Sequence, residues 1–457
     1  MSFSVTIAQL ISVLDATAIN LPEDVREISA TGICTDTRTL QPGEVFLAFR
    51  GTQFDGHQFV PSALKNGAIA AIVDRNYAEI DRNMPLLLVA DTLTAYQAIA
   101  HWWRHQFDIP IIGVTGSVGK TTTKELIAAV LGTQGKVLKT EKNYNNEIGV
   151  PKTLLNLTAD HRYAVIEMAM RGSGQIAELT KIADPTIGVI TNVGTAHIEL
   201  LGSEEAIASA KCELLATMSP NSVAILNHDN PRLINTAATV WQGDTLTYGL
   251  ESGELRGELI NSDTLQVEGF DLPIPLTGRH NALNYLAALA VAKVLDIGWQ
   301  PLTEGLAVDL PDGRAKRYQL SNDILVLDET YNAGLESMNA ALQLLMETPG
   351  KRHIAVLGTM KELGLRSIEF HQQVGAIAHQ LGVDALFVFA DPAEAEAIAF
   401  GAGDLPFIEI LEIAEPNAHE FLTQRLKEFV RSGDRLLFKA SHSVELNRVV
   451  EQFIIDG

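Results

Sequence analysis

Cysteine and positive charge are both scarce in this chain of 457 residues. Cys34 and Cys212 are the only cysteines, which is too few for a disulfide framework or a cysteine-built zinc site. The 34 lysines and arginines are outnumbered by 56 aspartates and glutamates, and the formal net charge is −22. Such an excess of negative charge repels nucleic-acid backbones and anionic membrane surfaces. We therefore expect neither kind of partner, and we expect a reducing compartment.

Long apolar runs are missing as well. No run comes near the roughly 18 residues that a membrane-spanning helix needs. The N-terminal segment lacks the basic flank, apolar core and cleavage site of a signal peptide. The spacing of Ile7, Leu10, Ile11 and Leu14 instead predicts one face of a short helix. We therefore expect a cytoplasmic protein.

The length and the 46% hydrophobic content predict about three packed domains. Residues 1–108 contain short strand-like runs at 45–49, 68–73 and 86–89, together with two helices. Residues 109–310 alternate predicted strands and helices, which favours a mostly parallel sheet, with a hairpin insertion predicted at 246–276. Residues 311–457 repeat the alternation and predict a Rossmann-like unit that lacks GxGxxG. The predicted fold class is α/β with three domains.

The most informative stretch is 111–123, which predicts a buried strand, a phosphate-binding turn and a helix start. Its glycines let backbone N–H groups surround an anion at the helix N-terminus. Lys120 would reach the terminal phosphates of a nucleotide, and the Thr121 hydroxyl would bind Mg²⁺. The spacing is TGxxGKT instead of GxxxxGK[ST]. The alternative is an ordinary glycine turn with a solvated Lys120. The predicted nucleotide contacts in this loop are Gly116, Ser117, Val118, Gly119, Lys120, Thr121 and Thr122.

Polar residues also follow two other predicted strands. Glu167 lies near the end of the strand 164–168, where it would bind Mg²⁺ or cap the following turn. His197 follows the strand 186–191, and a neutral imidazole is a metal ligand, although a lone histidine is more often structural. Lys211 lies in a helical pattern and by itself suggests a surface lysine.

A polar loop at 140–151 contains Asn143, Asn145 and Asn146 and ends in a glycine and a proline. Amide side chains both donate and accept hydrogen bonds, which suits peptide or sugar recognition, and simple turn chemistry is the alternative. Asn281 opens an alanine-rich helix, where it would read a purine edge or cap the helix.

Arg314 and Asp328 lie at the start of the third unit, and Asn332 follows closely. The guanidinium of Arg314 would bridge phosphates and Asp328 would orient a nucleotide, unless the two side chains form a surface ion pair.

Together these motifs resemble the Mur ligases of peptidoglycan synthesis, in particular the members that join D-alanyl-D-alanine to UDP-N-acetylmuramoyl-tripeptide. The resemblance covers nearly the whole chain. It includes the TGxxGKT loop, the segment 143–151, and the segments 35–38, 42–46 and 55–59, which are similar to the family's UDP-sugar-binding domain. It implies an N-terminal UDP-substrate-binding domain at 1–108, a central P-loop ATPase domain at 109–310 and a C-terminal domain at 311–457. The implied substrate contacts are Thr35, Thr37, Arg38, Asp55, Gly56, His57, Asn143, Asn145, Asn146 and Asn332.

The resemblance further implies an amide ligase that uses ATP, two Mg²⁺ ions and an acyl-phosphate intermediate, acting as a monomer. It puts Lys120 on the γ-phosphate, Thr121 and Glu167 on one Mg²⁺ and His197 on the other. The resemblance also implies that Lys211 is N-carbamylated and acts as a metal ligand. The implied catalytic residues are Lys120, Glu167, His197 and Lys211. Asn281 would face the adenine, and the third domain would bring Arg314 and Asp328 to ATP. A sibling Mur ligase or a folylpolyglutamate synthase-like ligase stays open as an alternative, whereas a nucleotide-dependent switch is disfavoured because no NKxD sequence occurs.

Overall fold

The computed structural model describes residues 3–51, 54–77 and 83–455. In this part of the chain, helices pack around three mostly parallel sheets and one two-stranded sheet, which confirms the predicted α/β class. No helix described there is long and apolar enough to cross a membrane.

The first unit is built on a five-stranded sheet in the order β2-β7-β6-β5-β4, in which only β2 runs antiparallel to its neighbour. The helix predicted from the apolar spacing is present, and its first turn is capped because the Thr6 hydroxyl accepts from the backbone N–H of Gln9 at 3.1 Å. The expectation of two helices was wrong, since the described residues form four. Two of them are too short to carry a periodic pattern. The elements are β1 Val5–Thr6, α1 Ile7–Leu14, β2 Thr17–Ile19, α2 Glu23–Arg26, β3 Ser29–Ala30, β4 Ile33–Cys34, β5 Val45–Leu47, α3 Val60–Lys65, β6 Ala70–Asp74, β7 Leu86–Val89 and α4 Thr92–Arg104.

The second unit is built on a nine-stranded sheet in the order β16-β15-β14-β13-β12-β11-β8-β10-β9. The chain moves from β8 to one side for β9 and β10, and then to the other side for β11, so β8 lies at a topological switch point. The elements are β8 Ile111–Thr115, α5 Lys120–Gly132, β9 Lys136–Lys139, α6 Gly149–Leu154, β10 His161–Glu167, α7 Gln175–Ala183, β11 Ile187–Ile190, α8 Ile198–Leu201, α9 Glu204–Thr217, β12 Val223–Asn227, α10 Pro231–Val240, β13 Thr245–Gly249, β14 Leu255–Asn261, β15 Thr264–Val267, β16 Phe270–Pro273 and α11 Arg279–Val294.

The segment 246–276 contains the predicted hairpin pairing, because β14, β15 and β16 pair antiparallel, but it is not an insertion, and that part of the prediction was wrong. β13 pairs in parallel with β12, and β14 to β16 continue the same sheet as an antiparallel edge. Leu255, Leu265 and Leu272 are fully buried in the core that α11 also covers. The edge strands are therefore part of the main core.

The third unit is built on a six-stranded sheet in the order β17-β18-β22-β19-β20-β21, parallel except for β17. The five predicted strands are present, each followed by a helix. The edge strand β17 was not predicted, because none of its residues is fully buried. The elements are β17 Lys316–Leu320, β18 Ile324–Asp328, α12 Leu335–Glu347, β19 Arg352–Gly358, α13 Ser367–Leu381, β20 Ala385–Ala390, α14 Pro392–Ala402, β21 Ile408–Glu412, α15 Ala418–Phe429, β22 Asp434–Lys439 and α16 Leu446–Ile455.

Helix α4 joins the first unit to the second. It packs against α6 and α7, and the Trp103 indole N–H donates to the carbonyl oxygen of Leu157 at 3.2 Å. The guanidinium of Arg104 donates to the carbonyl oxygens of Ala183 at 3.1 Å and Asp184 at 3.0 Å. The two Arg104 bonds satisfy backbone carbonyl groups at the C-terminal end of α7. The domain limits 1–108, 109–310 and 311–457 stay predictions.

Candidate active site

The phosphate-binding turn connects β8 to α5 and has the backbone that its glycines predict. Gly116 has a φ of +151° and Gly119 a φ of +81°, both in a region that disfavours other residues. A Cβ at Gly116 would lie 1.9 Å from the hydroxyl oxygen of Thr191. Alanine therefore cannot replace this glycine without moving the loop.

Two residues that follow β11 brace the turn. The Thr191 hydroxyl donates to the carbonyl oxygen of Val118 at 2.7 Å, and the Asn192 side chain accepts from the Val118 N–H at 3.0 Å. The backbone N–H of Gly194 donates to the Ser117 hydroxyl at 2.9 Å. The sequence suggested only that these residues end a strand. The register, in which Ile190 pairs with Thr115, brings them onto the loop.

The turn opens into a cleft of about 1260 Å³ between the second and third units. It is lined by fourteen of the predicted site residues: Ser117, Val118, Gly119, Lys120, Thr121, Thr122, Asn143, Asn145, Asn146, Glu167, His197, Asn281, Arg314 and Asn332. The other predicted residues, which do not line it, are Gly116, Lys211, Asp328, Thr35, Thr37, Arg38, Asp55, Gly56 and His57.

Glu167 is held at the base of the cleft. Its register partner on β8 is Val114, so it ends its strand beside the phosphate-binding turn. Asn145 donates to Oε1 of Glu167 at 2.8 Å, and Nζ of the fully buried Lys124 lies 4.0 Å from Oε2. Oε2 has no hydrogen-bond partner among the described residues. A buried carboxylate oxygen that lacks a partner is chemically suited to a cation.

Lys211 is fully buried, so its interpretation as a surface lysine was wrong. Its Nζ has no hydrogen-bond partner in the described part of the chain. Burial lowers the pKa of the ammonium well below its ordinary value, and the charge of Lys120 lowers it further. Burial therefore favours the neutral amine form of this side chain over the ammonium form.

His197 meets the third unit. Its Nδ1 lies 2.6 Å from Oε2 of Glu362, and this hydrogen bond lowers the pKa of the Glu362 carboxyl group. Within 3–51, 54–77 and 83–455, no three His, Cys, Asp or Glu side chains form a metal-binding group. Any divalent cation here would therefore need ligands other than these four side-chain types, such as hydroxyl or phosphate oxygens. Glu362 was not predicted from the sequence as a site residue. The feature that could have indicated it is its position in the loop after β19, where a parallel strand ends.

The third unit contributes Arg314, whose guanidinium lies 3.8 Å from the centre of the Tyr331 ring. Of two adjacent carboxylates at the end of β18, Glu329 lines the cleft, whereas Asp328 accepts from the backbone N–H and hydroxyl of Thr330 at 3.1 and 2.6 Å. Lys439, which sequence reasoning also missed, donates to the carbonyl oxygen of Asn332 at 2.9 Å. No ion pair between Arg314 and Asp328 occurs among the described contacts, so that alternative was wrong.

Asn281 is the third residue of α11, and its amide donates to the carbonyl oxygen of Thr277 at 2.8 Å. The N-cap position is Gly278, so the capping alternative for Asn281 was wrong. Asn284, one turn further, accepts from the Thr123 hydroxyl at 3.2 Å and ties α11 to the helix that follows the phosphate loop.

Two of the predicted residues of the first unit, Asp55 and His57, are hydrogen-bonded to each other. His57 is buried, its Nε2 accepts from the Asp74 N–H at 3.0 Å, and its Nδ1 therefore donates to Asp55 at 2.5 Å. Both ring nitrogens are therefore already hydrogen-bonded within the first unit. The exposed Arg38 pairs with Asp36 at 2.6 Å and lowers the pKa of that carboxyl group to about 2. A Cβ at Gly56 would lie 2.6 Å from the carbonyl oxygen of Phe49, so this position needs glycine.

Comparison with known proteins identifies the family to which this chain belongs. Residues 114–292 match the Mur ligase middle domain, 313–442 the Mur ligase glutamate ligase domain, and 29–97 the Mur ligase family catalytic domain. The UDP-N-acetylmuramoyl-tripeptide--D-alanyl-D-alanine ligase of Synechocystis sp. is 57% identical over 438 residues, covering 96% of this chain and 94% of that protein. The chain therefore belongs to the Mur ligase family, as its motifs predicted.

Among solved structures of Mur ligases, two MurF structures are similar to this chain over nearly its whole length. MurF from Acinetobacter baumannii superposes with a TM-score of 0.87 at 30% identity, covering 99% of both chains. The MurF ligase from Thermotoga maritima, solved in complex with ADP, gives a TM-score of 0.82 at 32% identity and covers 93% of this chain and 97% of that one.

Proposed function

We propose that this chain is the ATP-dependent ligase that joins D-alanyl-D-alanine to UDP-N-acetylmuramoyl-tripeptide, acting as a monomer in the cytoplasm. The observation that carries the proposal is the convergence of the phosphate-binding turn, Glu167 and the asparagine loop (the polar loop 140–151) in one cleft, with Asn145 hydrogen-bonded to Glu167. The relatives with that activity and the ADP-bound neighbour support the same reading.

The reaction needs two steps because a carboxylate is a poor acyl donor. A carboxylate oxygen of the tripeptide first attacks the γ-phosphorus of ATP, the bond to the bridging oxygen breaks, and ADP leaves. The amine of the dipeptide then attacks the acyl carbon, a C–N bond forms, and phosphate and a proton are released. Catalysis is mainly positioning and charge neutralisation.

Residues of the turn and of the third unit would hold the nucleotide. Lys120 and the backbone N–H groups of the turn offset phosphate charge, and Arg314 approaches from across the cleft. Asn281 is proposed to face the adenine, and Asp328 is proposed to orient the nucleotide. Because Asp328 does not line the cleft, its neighbour Glu329 is the better placed carboxylate for that role.

The donor set fits divalent cations, since Oε2 of Glu167 and Nζ of Lys211 are both buried and have no hydrogen-bond partner among the described residues. Thr121 and Glu167 would hold one Mg²⁺, and His197 with Lys211 a second. When bound, Mg²⁺ would neutralise charge on the transferred phosphoryl group. An uncharged Lys211 amine reacts with CO₂ to form an N-carboxylate and release a proton, which would convert Lys211 into an anionic ligand.

The acceptor would be bound by the first unit and the asparagine loop. Thr35, Thr37, Arg38, Asp55 and Gly56 are proposed to surround the UDP moiety, with His57 supporting that loop from within. Asn143, Asn145, Asn146 and Asn332 line the cleft and offer amide groups to the peptide.

Phosphate release tests the proposal. The purified chain is incubated with ATP, Mg²⁺ and UDP-N-acetylmuramoyl-tripeptide, with or without D-alanyl-D-alanine, and with L-alanyl-L-alanine as the matched dipeptide. We expect sustained phosphate release only with D-alanyl-D-alanine. The product should be heavier than UDP-N-acetylmuramoyl-tripeptide by the mass of the dipeptide less one water molecule. Release that ignores the dipeptide, or that requires glutamate instead, would favour another amide ligase.

A further inference from the structure

The loop that follows β19 reaches from the third unit into the metal-binding part of the second. Its residue Glu362 places Oε2 at 2.6 Å from Nδ1 of His197. The two residues are 165 positions apart in the chain. Their contact therefore exists only when the two units are packed against each other.

This contact fixes the hydrogen position on the imidazole ring. An ionised carboxylate can only accept a hydrogen bond, so Nδ1 of His197 carries the hydrogen. In a neutral ring, Nε2 then keeps the lone pair that a metal ion needs. Histidine ligands of metals usually donate their other N–H to a carboxylate in this way, which fixes the orientation of the ring.

Glu362 is itself held by the second unit. Its Oε1 lies 4.0 Å from a terminal nitrogen of Arg171, and its carbonyl oxygen accepts from the Glu199 N–H at 3.4 Å. A separate contact nearby joins the same two units, because Glu336 accepts from the backbone N–H of Thr195 at 2.7 Å and from its hydroxyl at 3.1 Å. Glu336 contacts Thr195 and not His197. The two units are therefore held together by one contact that involves the imidazole and by another that does not.

We propose that Glu362 is a positioning residue that orients His197 for a divalent cation, so that packing of the third unit completes a cation site on the second. The inference rests on the proposed function, which places a cation at His197. It explains why a carboxylate from another unit reaches this ring. It also makes cation affinity depend on a residue that supplies no ligand to the metal.

Manganese binding tests the proposal without turnover. Mn²⁺ serves as the probe and is titrated into the ADP complex of the full chain, with free Mn²⁺ followed by electron paramagnetic resonance. Glu362→Ala is expected to weaken Mn²⁺ binding about 10- to 100-fold, the usual cost of removing a carboxylate behind a histidine ligand. Glu362→Gln keeps an acceptor for Nδ1–H and is expected to lose less. ADP binding without metal is expected to stay within twofold of the wild type.

Two matched variants separate orientation from packing. Glu336→Ala removes the neighbouring contact between the units, and Glu369→Ala removes an exposed carboxylate of the third unit that pairs with Arg366. Both are expected to bind Mn²⁺ within threefold of the wild type. An equal loss in Glu336→Ala and Glu362→Ala would overturn direct orientation in favour of general loosening, and so would unchanged binding in a folded Glu362→Ala. If the wild-type ADP complex binds no Mn²⁺, the proposed function loses its cation site and this inference fails with it.

Discussion

Nζ of Lys120 donates hydrogen bonds to the carbonyl oxygen of Gly116 at 2.8 Å and to that of Ser117 at 3.1 Å. Its charge is thus held by main-chain oxygens of its own loop. Burial lowers the pKa of this ammonium, Arg314 lowers it further, and Glu167 raises it. A phosphate oxygen is a stronger partner than a carbonyl oxygen because it carries charge. The side chain is therefore ready to exchange these contacts for a nucleotide.

Replacement of Lys120 by alanine is expected to reduce ATP-dependent ligation at least 100- to 1000-fold, about the effect of removing one preorganised donor from a developing charge. The fold should persist, since the lost bonds lie within one turn. Phosphate release measures the activity, and circular dichroism and thermal unfolding measure the fold. Lys136→Ala, at an exposed position on β9, is the control. Near-normal turnover in a folded Lys120→Ala protein would refute the role.

Lys211→Ala is expected to lose ligation and to regain part of it when acetate or formate is added. The substitution leaves room where the fully buried amine stood, and a small carboxylate can supply the negative charge of the proposed carbamate there. Rates are measured against carboxylate concentration, with chloride at equal ionic strength as the salt control.

Lys124→Ala provides a matched comparison, because Lys124 is equally buried but pairs with Glu125 at 2.8 Å. Added acids should not rescue that variant. Full activity of Lys211→Ala without any addition would remove the residue from the cation site.

Several features of the site could be predicted because they depend on local sequence. The apolar run before the glycines predicted β8, and the strand end at Glu167 predicted its place beside the turn. The burial of Lys211 was missed although a signal was present. Ile207, Leu214 and Leu215 stand at helical spacing from it and are buried, so Lys211 lies on the apolar face of α9.

Other features could not be predicted, since they arise from packing between distant segments. The contact of Glu362 with His197 depends on how the second and third units pack together. The relative position of two units cannot be predicted from a local sequence pattern. The same applies to His57, where only the structure shows that both ring nitrogens are already bonded. Sequence motifs thus predicted the phosphate-binding turn, whereas the residues that support the site from distant segments were not predicted.

Asp434→Asn is expected to destabilise the third unit by about 3 kcal/mol. Asp434 is 1% exposed and forms a two-point ion pair with Arg352, at 3.0 Å to Nε and 2.6 Å to a terminal nitrogen. Removing one charge of a buried pair costs about 3–5 kcal/mol, and the partial exposure of Arg352 favours the lower figure. Urea unfolding measures the change. Asp404→Asn, at an exposed site, is the control, and equal stability of the two variants would contradict the expectation.

The stability of the protein is expected to fall as pH drops below about 6.5, in part because of His371. This residue is fully buried, its Nε2 accepts from the Met360 N–H at 2.9 Å, and its Nδ1 lies 2.7 Å from the carbonyl oxygen of Ser367. Burial lowers its pKa, so the unfolded chain takes up a proton at a higher pH than the folded chain does. The contribution of His371 to the free energy of unfolding is thus constant above the unfolded pKa and decreases, by up to about 1.4 kcal/mol per pH unit, until the folded pKa is reached.

His371→Gln removes this titration while its side-chain oxygen can still accept from Met360. The variant should be less stable than the wild type at pH 7.5, and the difference should shrink as the pH is lowered to 5.5. Urea unfolding at several pH values measures both curves, and His379→Gln, at an exposed histidine bonded to Asp404, is the control. The difference between the two curves reports the contribution of the His371 ring. Parallel curves for wild type and His371→Gln would mean that the folded protein accepts the proton at this site as easily as the unfolded chain.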